Sequence, residues 1–149
     1  MTLKQKIKSH YIQYLDDKIA SLQSQIADLT ADAQNDAKGS AGDKHETALS
    51  MMHLEQEKLN HKVTEFLQLK KVLDIIDAAV VSKNITVGSL VKTDKMLFFI
   101  SVALPKITLD NFEVIALSPL SPLGSNLVRK KIGDEVSFNN FHFVITGID

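Results

Sequence analysis

The sequence predicts an α+β protein. An N-terminal antiparallel two-helix coiled-coil hairpin spans residues 1–79, with its tip near 38–47, and a small antiparallel β-sheet domain with one short helix spans 80–149. Three observations carry that prediction. Composition changes once, near residue 80: upstream there is no proline and only two glycines, Gly39 and Gly42, while all three prolines and the other four glycines lie downstream. The upstream half holds two apolar series at coiled-coil spacing. The downstream half breaks into short runs rich in β-branched and aromatic residues.

The first helix is read from Ile12, Ile19 and Ile26, which recur every seven residues, as do Leu15, Leu22 and Leu29. The two series together alternate at steps of three and four, which is a coiled-coil seam. In the second helix Met52, Leu59, Phe66 and Leu73 recur at the same period, with Val63 and Ile76 on the same side. Leu, Ile, Lys, Gln, Asp and Ala fill the rest of this half, a composition that favours helix. The joint "GSAGDKHETA", residues 39–48, carries this half's only glycines. A connection that short folds the helices back antiparallel, each burying its stripe against the other, and the expected state is a monomer. An intermolecular coiled coil is the alternative, because apolar a and d positions alone do not fix the partner.

Downstream, "ITVGSLV", "MLFFISV", "FEVIALS", "DEVSF" and "FHFVITGI" read as strands. Asn139-Asn140 separates the last two, and asparagine's tolerance of positive φ suits a tight hairpin. Between the third and fourth, Ser121 can cap a short helix, Pro122 fits its first position, and Leu123 and Leu127 face the sheet.

Charge and composition exclude several classes. Seventeen basic and 18 acidic residues give a formal net charge of −1, so no global basic excess advertises binding to nucleic-acid phosphates. The absence of cysteine removes disulfides, thiolate metal sites and cysteine nucleophiles. No apolar run approaches the ~20 residues needed to span a bilayer, and the polar N-terminus lacks the apolar segment of a secretory signal. The expected location is the cytoplasm.

The candidate site residues are Asp43 and Glu46, where the chain reverses. Spacing alone fits a capping pair, in which Asp43 accepts from backbone N–H groups of the first turn and Glu46 reaches back, an arrangement worth ~0.5–2 kcal/mol. The same two carboxylates also offer oxygen ligands to a metal ion. Three acids (Asp36, Asp43, Glu46) against two lysines (Lys38, Lys44) leave the tip at net −1. His45, His53 and His61 step by eight residues and lie too far apart to share one metal. Ser118, Ser121 and His142 lack the glycine pattern of a nucleophile elbow. Lys4, Lys6 and Lys8 read as a solvated helix end, and Phe98, Phe99, Phe112, Phe138, Phe141 and Phe143 chiefly as core.

Two motifs resemble the Gre transcript-cleavage factors of bacterial RNA polymerase. Gly42-Asp43-Lys44-His45-Glu46-Thr47-Ala48 matches that family's tip stretch G-D-x-x-E-N-A, with Thr47 in place of the asparagine. The run from Ser121 to Asp134 follows the signature S-P-x-x-x-x-L-x-G-K-x-x-G-D, with Arg129 in place of a glycine. The resemblance implies an FKBP-like C-terminal domain and an arm that enters the polymerase's secondary channel. It implies a cofactor protein and not an enzyme: Asp43 and Glu46 would help hold a Mg2+ ion shared with the polymerase active site, near the nascent RNA 3′ end, and the polymerase would cleave its own backtracked RNA. Members that cleave usually continue with a further acid and an aromatic where this chain reads Leu49-Ser50. That departure keeps a second reading in play, a secondary-channel regulator that modulates or inhibits polymerase without cleavage. A third is an unrelated coiled-coil interaction module.

Overall fold

The computed structural model describes residues 1–37 and 42–149, with the side chains of 36–37 and 42–44 outside the description. Two long helices come first, α1 (Leu3–Ala37) and α2 (Gly42–Ile75). At ~1.5 Å per residue each is ~50 Å long. Strands β1 (Leu90–Thr93), β2 (Leu97–Ile100), β3 (Leu104–Leu109) and β4 (Phe112–Leu117) follow, then α3 (Pro122–Leu127), β5 (Glu135–Phe138) and β6 (Phe141–Ile148). The contacts divide the chain into two compact units: Gln13–Lys70, and Met1–Ile12 together with Lys71–Asp149.

The first unit is a helix pair built on the heptad residues. Ile19, Leu22, Leu59 and Val63 form its buried cluster, with Ile26, Leu29 and Phe66 packed against it. Lys70 pairs with Asp16 at 2.7 Å, and Gln56 donates to the Thr30 hydroxyl at 2.7 Å. Early residues of one helix therefore meet late residues of the other, so the pair is antiparallel. The seams close within one chain.

In the second unit a six-stranded sheet runs in the order β3-β4-β2-β1-β6-β5. The sequence predicts five strands, all antiparallel; the sheet is mixed, because β2 and β4 pair in parallel. The cause is β3, which the sequence reading passes over. Pro105 and Lys106 interrupt its apolar pattern and are exposed, yet β3 lies at the sheet edge, where proline's missing N–H costs no ladder bond. Its hairpin with β4 turns on Asp110 (φ 49°) and Asn111 (φ 67°), and this sends β4 back alongside β2 in the same direction. The β5–β6 hairpin turns as expected on Asn139 (φ 47°) and Asn140 (φ 68°). The first strand starts later than "ITVGSLV" suggests. Gly88, at φ 95°, turns the chain before it, and a Cβ there would sit 3.1 Å from an Ile76 methyl.

Helix α3 forms as its residues dictate. The Ser121 hydroxyl accepts from the Gly124 N–H at 3.1 Å, and Pro122 occupies the first turn. Leu127 is fully buried and Leu123 packs against the core formed by Phe98, Ile100, Val136, Phe143 and Ile145.

Candidate functional site

Helix α2 begins at Gly42, so Asp43 and Glu46 stand at its second and fifth residues. Carboxylates there suit the positive end of the helix dipole. Residues 38–41 of the expected tip and the side chains of Asp43 and Lys44 lie outside the described residues. Glu46 is exposed, and no described residue bonds or pairs with its carboxylate. His45 beside it is half-buried, and its Nδ1 is buried without a hydrogen-bond partner among the described residues. Leu49, where the resemblance would put the extra acid, is half-buried, and Ser50, where it would put the aromatic, is exposed. Among the described residues no three His, Asp or Glu side chains come together as a metal site.

The three N-terminal lysines differ most from their sequence reading. Lys4 is buried, and its ammonium donates to the Val80 carbonyl at 2.7 Å. Lys8 donates to the Ile76 carbonyl, just past the end of α2. The Lys8 cation, at the carbonyl that follows the last helical residue, opposes the negative end of the α2 dipole, while Lys4 satisfies a carbonyl of the segment beyond it. Burial holds the Lys4 amine below its ordinary pKa, with Asp149 and Asp77 pulling the other way. Lys6 pairs with Asp110 at 2.9 Å in a half-exposed bridge of small energetic weight. The cluster is an internal fastening, and the signal for it was present: Lys4 and Lys8 precede Tyr11 and Leu15 by seven residues and so continue the buried stripe.

Tyr11 completes that fastening. It is fully buried, and its hydroxyl donates to the Pro105 carbonyl at 2.9 Å. Burial pushes its pKa up to about 12, partly opposed by the Ala116 backbone.

The hydroxyls weighed for nucleophilic chemistry are otherwise engaged. Ser121 caps α3 while donating to the Ser118 carbonyl at 2.6 Å. His142 meets Ser137, not Ser118 or Ser121, with Nδ1 2.7 Å from the hydroxyl. That pair is a cross-strand contact on the exposed face of the β5–β6 hairpin. Among the described residues the His142 ring has Ser137 as its side-chain partner and no carboxylate, so the pair lacks the third member that a catalytic triad needs.

Among the described residues no helix is long and apolar enough to cross a membrane. No protein-family model matches the chain, and no curated protein matches it.

Proposed function

We propose that this chain is a Gre-like secondary-channel factor of bacterial RNA polymerase, with an FKBP-like globular domain, that stimulates cleavage of backtracked RNA. The observation that supports the reading best is the position of the tip motif. It opens the second helix of a hairpin that closes on itself, and it leaves Glu46 exposed and uncommitted among the described residues. Two carboxylates are too few to hold Mg2+ alone, but their oxygens are the hard ligands it prefers, and the His45 nitrogen is not. On this reading Asp43 and Glu46 add their oxygens to an ion shared with the polymerase and help position water, while the polymerase performs the hydrolysis.

The test is RNA cleavage in a stalled, backtracked complex. Asp43→Asn retains a good capping oxygen, because asparagine caps about as well as aspartate, yet removes the charge Mg2+ needs. Asp43→Asn and Glu46→Gln should each abolish stimulated cleavage while polymerase affinity stays near that of the parent. If both neutral variants stimulate cleavage as the parent does, the carboxylates serve the helix only.

A specific observation favours the second reading, a regulator without cleavage: Leu49 and Ser50 stand where the extra acid and aromatic would be. A factor acting by occupancy would still inhibit with both acids neutralised. The same two variants separate the readings.

A further inference from the structure

We propose that the globular unit carries a binding site for a small amphipathic anion, an apolar body bearing one carboxylate, in a cavity between α3 and the sheet. The six residues of α3 cover only part of the sheet face. Beside the helix they leave a cavity of about 330 Å3, lined by Met96, Phe98, Ile115, Leu123, Phe141 and Phe143 among others. That volume lies at the low end of the ~300–1,000 Å3 typical of small-molecule pockets. Phe98 and Phe143 form its floor, both buried, with ring centroids 5.1 Å apart and planes tilted by 34°. Phe141 forms a wall and is 62% exposed, an aromatic surface that an apolar occupant would cover.

The cavity's charge selects the ligand's sign. Lys95 and Lys106 are among the lining residues, and among the described residues no acidic side chain lines the cavity. Lys106 is paired with Glu113 at 3.3 Å, but no described carboxylate lies within ion-pair distance of Lys95. Lys95 is held in place by donating to the His142 carbonyl, which leaves two of its three N–H donors for a ligand. The lining side chains come from strands β2 to β6, from α3 and from the turn before β2; of those strands β2, β4 and β6 are flanked on both sides, while β3 and β5 are the sheet's edges. The site therefore offers apolar contact and one cation without a described carboxylate partner, which suits a small apolar body bearing a single negative charge. It lies wholly in the globular unit and does not rest on the polymerase reading.

The experiment titrates the full chain with decanoate and with decanol, below the concentration at which either self-associates, by calorimetry and by methyl NMR. Saturable one-site binding of decanoate is expected, with shifts at the Met96, Ile115 and Leu123 methyls. Decanol should bind about tenfold more weakly, the equivalent of ~1.4 kcal/mol for the lost charge pair. Lys95→Glu should weaken decanoate by at least about as much and leave decanol unchanged, with the circular dichroism of the parent confirming the fold. Phe141→Ser should weaken both ligands. Absence of saturable binding, equal affinity for the two ligands, or indifference of decanoate to Lys95→Glu would each overturn the proposal.

Discussion

Tyr11→Phe gives a test in which the sign of the effect changes with pH. The substitution keeps the buried ring and removes the hydroxyl that donates to the Pro105 carbonyl at 2.9 Å. Near neutral pH the variant should lose the net worth of one hydrogen bond, ~0.5–1.5 kcal/mol. The parent carries a liability at high pH that the variant lacks. Its phenol is raised to about 12 in the folded state, against an ordinary value of about 10 in the unfolded chain. A group raised on folding supports the fold fully below its unfolded pKa and loses that support as pH climbs toward the folded value. The loss is ~1.4 kcal/mol by pH ~11 and ~2–3 kcal/mol by pH ~12. The stability curves of parent and variant should therefore cross near pH ~11, the parent more stable below and the variant above. Lysine titration affects both proteins alike and cancels in the difference. Urea unfolding of both proteins at several pH values measures this, together with the phenolate absorbance of the parent. A stability difference that stays constant from pH ~8 to pH ~12 would refute the argument that Tyr11 is sealed from water.

Leu59→Ala, at a position 7% exposed in the helix pair, should cost ~2–5 kcal/mol in denaturant unfolding. Sedimentation should find parent and variant both monomeric, because the seam closes within one chain; a parent dimer that dissociates on substitution would count against that. Gly124→Ala should prevent the globular unit from folding, since a Cβ there would fall 1.9 Å from the Ser118 carbonyl oxygen, which belongs to the backbone and has nowhere to go. Loss of the near-ultraviolet spectrum would show it. Lys8→Met should destabilise by ~1–3 kcal/mol, because the Ile76 carbonyl loses its charged donor. A neutral result would mean that the carbonyl finds water instead.

What could be read from the sequence follows what each residue pattern physically encodes. The helix pair was legible because a seven-residue apolar period has one economical solution, and Ile19, Leu22, Leu59 and Val63 meet as that period requires. Asn139-Asn140 was legible because two asparagines between alternating apolar runs accept positive φ. Asp110-Asn111 makes the same kind of turn, but the strand before it carries Pro105 and Lys106, and an edge strand need not look apolar. Missing that strand meant missing the parallel pairing, because strand direction depends on the number of intervening segments and not on the composition of any one. The fastening lysines were misread because a charge near a chain end is ordinarily solvated. Only their phase with Tyr11 and Leu15 marked them as inward. The candidate site was legible as a position, the start of the second helix, but not as a geometry, since two acids three residues apart serve a cap and an ion equally well.

The signature from Ser121 to Asp134 carries most of the family resemblance, yet nearly every fixed residue in it has a task within the fold. Ser121 caps α3, Pro122 starts it, and Leu127 is buried beneath it. Gly133, at φ 93°, turns the chain into β5, and the Asp134 carboxylate accepts from the Lys131 N–H at 2.8 Å to hold that turn. At Arg129, where the resembled signature has glycine, the backbone has no positive φ that would demand one. The match therefore supports a shared way of building a helix and turn against a sheet. Any chain that builds that feature would need similar residues, whatever its partner. Glu46, by contrast, is exposed and unpaired among the described residues, and the residues it would cap lie outside them. A signature explained by local folding cannot carry the proposed cleavage role, so that proposal rests on the tip. There the chain keeps the two acids of the motif and lacks the acid and aromatic that follow them, which makes neutralising the two acids more informative about mechanism than any change in the better-matched domain.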